Sequence, residues 1–299
     1  MEPIFFVPFF EEKHWGGSRL SALFGKYPEG IRIAESWEMS AVQYRQTFVR
    51  NGKYTGYMLS ELYKKNRELF GTESTYFPFV IKLLDFGEQS PAVIHGGGLK
   101  AGGEQYEGWY VVKAEAGAQM MTGTKLTNGL ALFNAIAADT VMESAYVTEV
   151  HEGESFVAPP GILHSIGPGQ VYYEISSPLR ESSQIYNWGR LGEQPFEQAL
   201  DAFRFGEPVK RQEQREILPG LVSLLETDLF RLEKVDAAEP VAFEKEAVFS
   251  VYTALIRGTI TTDSGVYRFG GGDTFMIPAN SESYAVTGGR LLKATPKTL

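Results

Sequence analysis

The sequence predicts a mostly β protein built as a duplicated small barrel, and three observations carry that expectation. First, two segments share one skeleton. Gly153 to His164 and Gly272 to Ser283 each place a Gly turn before a short apolar strand, a Pro at its end (Pro159, Pro278) and a tight turn beyond. The first copy delivers His164, and the second delivers Ser283 at the same offset. Second, the aromatic share of 13% and the 32 Gly favour strands and tight turns over a helical bundle. Third, from 228 onward strand-like runs recur at short intervals, broken by Gly258, Gly265, Gly270 to Gly272 and Gly288-Gly289, the spacing of a barrel or sandwich. A repeated frame with metal-binding side chains in one copy only points to chemistry on a small molecule at residues 90 to 190.

The elements follow in order. Residues 1 to 55 alternate short apolar stretches with turns. Leu59, Leu62, Tyr63, Asn66, Leu69 and Phe70 recur at helical spacing, and Gly71 is placed to end that helix. Residues 79–84, 109–113, 146–150, 155–158 and 171–175 read as strands, and 128–138 and 196–204 as short helices. The polar stretch 206–218 reads as a linker, which divides the chain into 1–205, a metal-binding barrel with helical additions, and 220–299, a metal-free barrel.

Composition narrows the function. A net charge of −9 without a Lys/Arg run argues against nonspecific nucleic-acid binding. The chain has no Cys, which removes thiolate metal sites, disulfides and a Cys nucleophile. No apolar run is long enough to span a bilayer, and the first residues lack the basic flank and apolar core of a secretory leader. A cytoplasmic protein, monomeric or homodimeric, is the expectation.

The four His are His14, His95, His151 and His164. A stiff Pro-x-Gly turn holds His164, His95 follows the strand-like Ala92-Val93-Ile94, and Glu107 precedes the strand at Trp109. Imidazole and carboxylate suit Zn, Fe, Mn or Ni, and a mixed set leaves an open position for chemistry. His95, Glu107 and His164 are therefore the expected metal ligands. His151 lies in a strand-entry turn and reads as surface. Strand alternation puts Glu174 on the face of Tyr172, where a luminal carboxylate must be paired or used. Lys82 either snorkels to the surface or reaches inward to an anion. His14 and Trp15 are candidates for a pocket wall. Lys100, Arg180 and Arg190 are cations placed to meet a phosphorylated sugar, and the glycine-rich stretch 95–105 is a loop that could serve as a lid.

At these residues the chain resembles the type I mannose-6-phosphate isomerases, in their short cupin form. The resemblance is carried by Trp15-Gly16-Gly17, Glu35-Ser36-Trp37-Glu38-Met39-Ser40, Phe79 to Asp85, Glu107-Gly108-Trp109-Tyr110-Val111 and Pro160-Gly161-x-x-His164-Ser165-Ile166-Gly167, in that order over most of the chain. It implies a double-stranded β-helix (cupin) fold duplicated as two jelly-roll barrels with a few short helices. It also implies one bound Zn2+ per chain, with another divalent metal as the alternative, and interconversion of mannose 6-phosphate and fructose 6-phosphate. The family's ligands are Gln, His, Glu and His. His95, Glu107 and His164 match the last three, whereas the Gln position holds Val93 and a Pro beside it is Gly96. Two further family positions differ: a Lys is Gln105, and an Arg assigned to proton transfer or phosphate contact is Gln184. Arg190 retains a basic residue further on.

The resemblance and the residues together lead to a metal-dependent aldose–ketose isomerase acting on a sugar or sugar phosphate. Glu174 is the candidate base or its supporting partner, with Arg190 and Lys100 as other catalytic candidates. Trp15, His14, Lys82, Gln105 and Gln184 are the candidate substrate contacts. The changes at Val93, Gln105 and Gln184 keep two alternatives open: a sugar-binding cupin without catalysis, and a two-His-one-carboxylate iron oxygenase.

Overall fold

The computed structural model describes residues 2–25, 31–95, 106–178, 182–188, 203–206 and 208–297. The duplicated frame is visible in the strand order. The wider sheet of the first barrel runs Ser155–Ala158, Glu107–Ala114, Gln170–Ser176, Val80–Phe86, Glu35–Met39, Phe9–Glu11. In the second barrel the same places are taken by Thr274–Ile277, Ser250–Ile256, Arg290–Pro296, Phe230–Asp236, Leu221–Glu226 and Arg215–Leu218. The narrower sheets correspond likewise, with Ala92–His95, Leu163–Ile166, Gln119–Thr124 and Ala145–Glu149 matching Val241–Phe243, Tyr284–Thr287, Gly258–Thr262 and Gly265–Phe269. The shared turn has a left-handed residue in both copies: Gly161 has φ 84° and Asn280 has φ 57°. Gly reaches that region without steric cost, and Asn is among the few side chains that tolerate it.

The helices Arg19–Phe24, Leu59–Lys65 and Gly129–Ala137 sit outside the barrels. Asn128 caps the last, its Oδ1 accepting from Ala131 N–H at 2.9 Å. The first of the expected helices is shorter than its pattern: Leu59–Lys65 stops at Asn66 and a 3-10 turn Arg67–Leu69 follows. The stretch 206–218 differs more. It reads as a linker because it is polar, yet Lys210–Arg211 pairs with Ser155–Ala158 and Arg215–Leu218 pairs with Leu221–Glu226. Both are edge strands with exposed side chains, so polarity reports their position at the sheet rim rather than an absence of structure.

The chain's first strand, Ile4–Val7, pairs with Thr274–Ile277 and so belongs to the sheet of the second barrel. The one continuous cluster of Ile4, Phe6, Leu59, Phe70, Leu224, Phe230, Val251, Met276 and Leu292 is buried between the barrels. Phe70, Phe77, Phe79 and Phe249 meet there through ring contacts at 5.3 to 6.0 Å. Burial of each such ring contributes about 2–3 kcal/mol, which locks the barrels together and holds the outer end of strand Val80–Phe86 in place.

Candidate metal centre and cavity

The two barrels treat their interiors differently. In the second, Phe243, Tyr252, Phe269, Phe275 and Tyr284 fill the space, and the hydroxyls of Tyr252 and Tyr284 meet at 2.6 Å. In the first, a cavity of about 430 Å³ remains open, lined by residues that include His164, Glu107, Glu174, Lys82, Trp37 and Trp109.

His164 is 4% exposed on strand Leu163–Ile166. Its ring meets the indole of Trp109 edge-on at 5.0 Å, and its Nδ1 lies 3.0 Å from the carbonyl of Ile162. A carbonyl only accepts, so Nδ1 carries a proton, and in the neutral ring Nε2 presents its lone pair to the cavity. That lone pair faces Glu107 Oε2 at 3.2 Å. With the ring neutral, two acceptors at this separation repel unless a cation lies between them. Ligands bound about 2.0–2.2 Å from one tetrahedral zinc stand roughly 3.3–3.5 Å apart. The pair thus fits a zinc ion in its chemistry and its spacing.

The third expected ligand, His95, ends strand Ala92–His95, and its side chain lies outside the described residues. Val93 is described. It stands directly opposite His164 on one side and Gln184 on the other, and both Val93 and Gln184 line the cavity. An apolar and a neutral side chain therefore share one row with the imidazole.

Lys82 and Glu174 face each other in the pairing of Val80–Phe86 with Gln170–Ser176. Lys82 Nζ lies 3.0 Å from Glu174 Oε1, and the Trp109 indole N–H donates to Glu174 Oε2 at 3.1 Å. Glu35 Oε2 is 3.9 Å from Lys82 Nζ on its other side. Burial works against the Lys82 charge, but Glu174 and Glu35 outweigh it and hold the ammonium above its ordinary range, so Lys82 is a fixed cation. Lys82 Nζ lies 4.4 Å and the Arg45 guanidinium 5.1 Å from the ring centre of Trp37. Two cations over its ring help fix that indole as a wall of the cavity. The second barrel repeats the ion pair with its signs exchanged: Glu233 faces Lys293, 3.4 Å apart, with Glu246 2.8 Å from the same ammonium.

Of the remaining sequence candidates, Trp15 is buried, stacked on Phe86 at 4.8 Å, and lines the cavity. His14 is exposed at its rim. His151 lies outside this cavity, its side chain 63% exposed. Lys100, Gln105, Arg180, Arg190 and the stretch 96–105 fall outside the described residues. The structure adds Glu11, Lys13, Glu35, Trp37, Arg45 and Asn187 to the lining. Glu35 and Trp37 were legible in principle, since period-two alternation puts both on one face of their strand.

The fold and site define a double-barrel cupin with one chemically equipped barrel. No family model matches the chain. It is 29% identical over 302 residues to a mannose-6-phosphate isomerase of Streptococcus mutans, covering 96% of each chain. It is 27% identical, again covering 96% of each chain, to the mannose-6-phosphate isomerase ManA of Bacillus subtilis. The crystal structure of a Bacillus subtilis mannose 6-phosphate isomerase superimposes with a TM-score of 0.92 over 99% of both chains at 25% identity. A zinc-bound mannose 6-phosphate isomerase shares the fold at a TM-score of 0.81, covers 99% of both chains and is 12% identical. In sequence and in fold the chain is similar over nearly its whole length to mannose-6-phosphate isomerases.

Proposed function

We propose that the protein is a metal-dependent aldose–ketose isomerase that interconverts mannose 6-phosphate and fructose 6-phosphate, or a closely related sugar pair, using one zinc per chain. The observation that carries this reading is the His164 Nε2 and Glu107 Oε2 pair, facing at 3.2 Å in an open cavity beside a buried lysine–glutamate pair. His164 and Glu107 hold the ion, and His95 is the proposed third ligand. When bound, zinc polarises sugar oxygens as a Lewis acid.

The remaining chemistry belongs to the chain. Lys82 presents a permanent positive charge to oxygens that gain negative charge during the reaction. Glu174 is held through both oxygens and keeps that ammonium in place. Trp15, Trp37 and Trp109 supply the flat apolar walls that exclude water from one side of the sugar. The buried charges also favour a divalent ion: Glu35, Glu107 and Glu174 surround one lysine, and two further positive charges balance them. We place the protein in the cytoplasm as a monomer or homodimer. Among the described residues no helix is long and apolar enough to cross a membrane.

The test is conversion of mannose 6-phosphate by the zinc-loaded protein, with metal content measured in parallel. One zinc per chain and measurable conversion, both lost in His164→Ala, support the proposal. Sugar binding without conversion supports a non-catalytic cupin instead.

A further inference from the structure

Glu35 stands directly opposite Glu11 where strand Phe9–Glu11 pairs with Glu35–Met39, and both carboxyls line the cavity. Like charges in opposed positions on one sheet face are unfavourable. Their surroundings resolve the conflict unequally. Arg45 donates to Glu11 through Nε at 2.7 Å and through its terminal nitrogen at 2.9 Å, and Lys13 donates at 2.6 Å. The Arg45 hydrogen bonds, helped by Lys13 and opposed by partial burial, hold the Glu11 carboxyl down at about 2. Glu11 is a fixed anion.

The Glu35 carboxyl accepts no hydrogen bond among the described residues, and its cation, Lys82, is 3.9 Å away. Burial pushes its carboxyl above the ordinary range; Lys82 and Lys13 oppose this, while Glu11 and Glu174 add to it. Its side chain keeps 15% exposure on the cavity wall. Glu174 differs: one oxygen is held by Lys82 and the other by Trp109. Both of its oxygens are thus committed to holding their partners in place. Where neighbouring carboxyls are driven apart in this way, the one free to change charge is suited to acid–base work and the pinned one to holding charge.

We propose that Glu35 is the catalytic acid–base that carries the proton between C1 and C2 of the sugar, with the Lys82–Glu174 ion pair positioning it. The proposal rests on the isomerase reading above. The ionised Glu35 carboxylate removes the proton from C2 of the aldose. The C2–H electron pair becomes the C1=C2 bond, and the carbonyl π pair moves to O1. The O2 hydroxyl then gives its proton to O1 and its electrons form the C2=O bond. The C1=C2 pair takes the proton back from Glu35 at C1. Glu35 ends ionised, as it began, and no co-reactant is consumed.

The test uses the zinc-loaded full chain with mannose 6-phosphate deuterated at C2. Glu35→Gln is expected to lower kcat by roughly 10²–10⁴-fold with KM changed only a few-fold, and to suppress loss of the label to solvent. Wild-type kcat/KM falls on acidification as Glu35 takes up a proton. That limb is absent from the residual activity of Glu35→Gln and returns in Glu35→Asp. Glu174→Gln is slower but keeps the limb. Wild-type kcat in Glu35→Gln, or a limb lost in Glu174→Gln and kept in Glu35→Gln, overturns the assignment. A wild-type protein that does not convert the sugar overturns the isomerase reading instead, before any variant is compared.

Discussion

Replacing Glu11 by Gln separates the structural from the catalytic part of this reasoning. Two effects are expected from one substitution. A carboxyl moved from 4.5 to about 2 corresponds to ~3.4 kcal/mol before screening. The partners Arg45 and Lys13 are 36% and 37% exposed, so the retained contribution is closer to ~1 kcal/mol. Because the folded-state carboxyl lies below its unfolded value, this stability is present above 4.5 and disappears as the pH falls toward 2. Urea unfolding of Glu11→Gln should therefore show a loss of about 1 kcal/mol at pH 7 that vanishes on acidification. The second effect falls on Glu35. Opposed strand positions put the two Cβ atoms about 5 Å apart, and carboxyls splayed to roughly 7 Å repel by ~2.4 kcal/mol at an effective dielectric constant near 20. Water in the cavity reduces this by about half, and the released Arg45 and Lys13 charges act in the same direction. The acid limb of kcat/KM should move down by about one pH unit. A limb that stays in place or moves up refutes the coupling of Glu11 to Glu35, and with it the argument that their opposition sets the proton carrier.

Three further outcomes are expected. Lys293→Met leaves the buried Glu233 and the half-buried Glu246 around a missing ammonium in the second barrel and should cost about 3–5 kcal/mol in urea unfolding with kcat/KM unchanged. Burial raises the Glu246 carboxyl, but Lys293, Ser250 and Arg231 together leave it below the ordinary range. This pair's contribution is therefore present above the ordinary carboxylate value and lost as the pH falls through the lower folded value, so wild type and Lys293→Met should converge in acid. Val93→Gln introduces an amide oxygen directly opposite His164 and should tighten zinc binding by roughly 10–100-fold, measured by competition with a chromophoric chelator; unchanged affinity shows that this position does not reach the ion. Trp109→Phe removes the N–H that donates to Glu174 and should destabilise the chain by ~1–3 kcal/mol, with a stability equal to wild type ruling out that bond as a support.

Much of this molecule can be read along the chain, because the signals are local. The Gly and Pro of the repeated frame specify turns through backbone sterics alone, and they predicted the duplicated barrel together with the place of His164. Alternation set the face of Glu174, since period two is a property of any strand. Other features depend on which strand lies beside which. The pairs Glu11–Glu35, Lys82–Glu174 and Glu233–Lys293 join residues on separate strands, and a slip of one residue in register would send one member to the opposite face. The stretch 206–218 shows the converse: its polarity is a local fact, while its role as two edge strands exists only once each barrel offers it a neighbour. The sequence by itself determined the barrel duplication, the chemical types at the candidate metal centre and the replacements at Val93 and Gln184. Tertiary structure alone decided that those replacements flank one another beside His164, and that Glu35 is the loosely held carboxyl, because register and burial, not residue type, set the partners and solvation of a charged group.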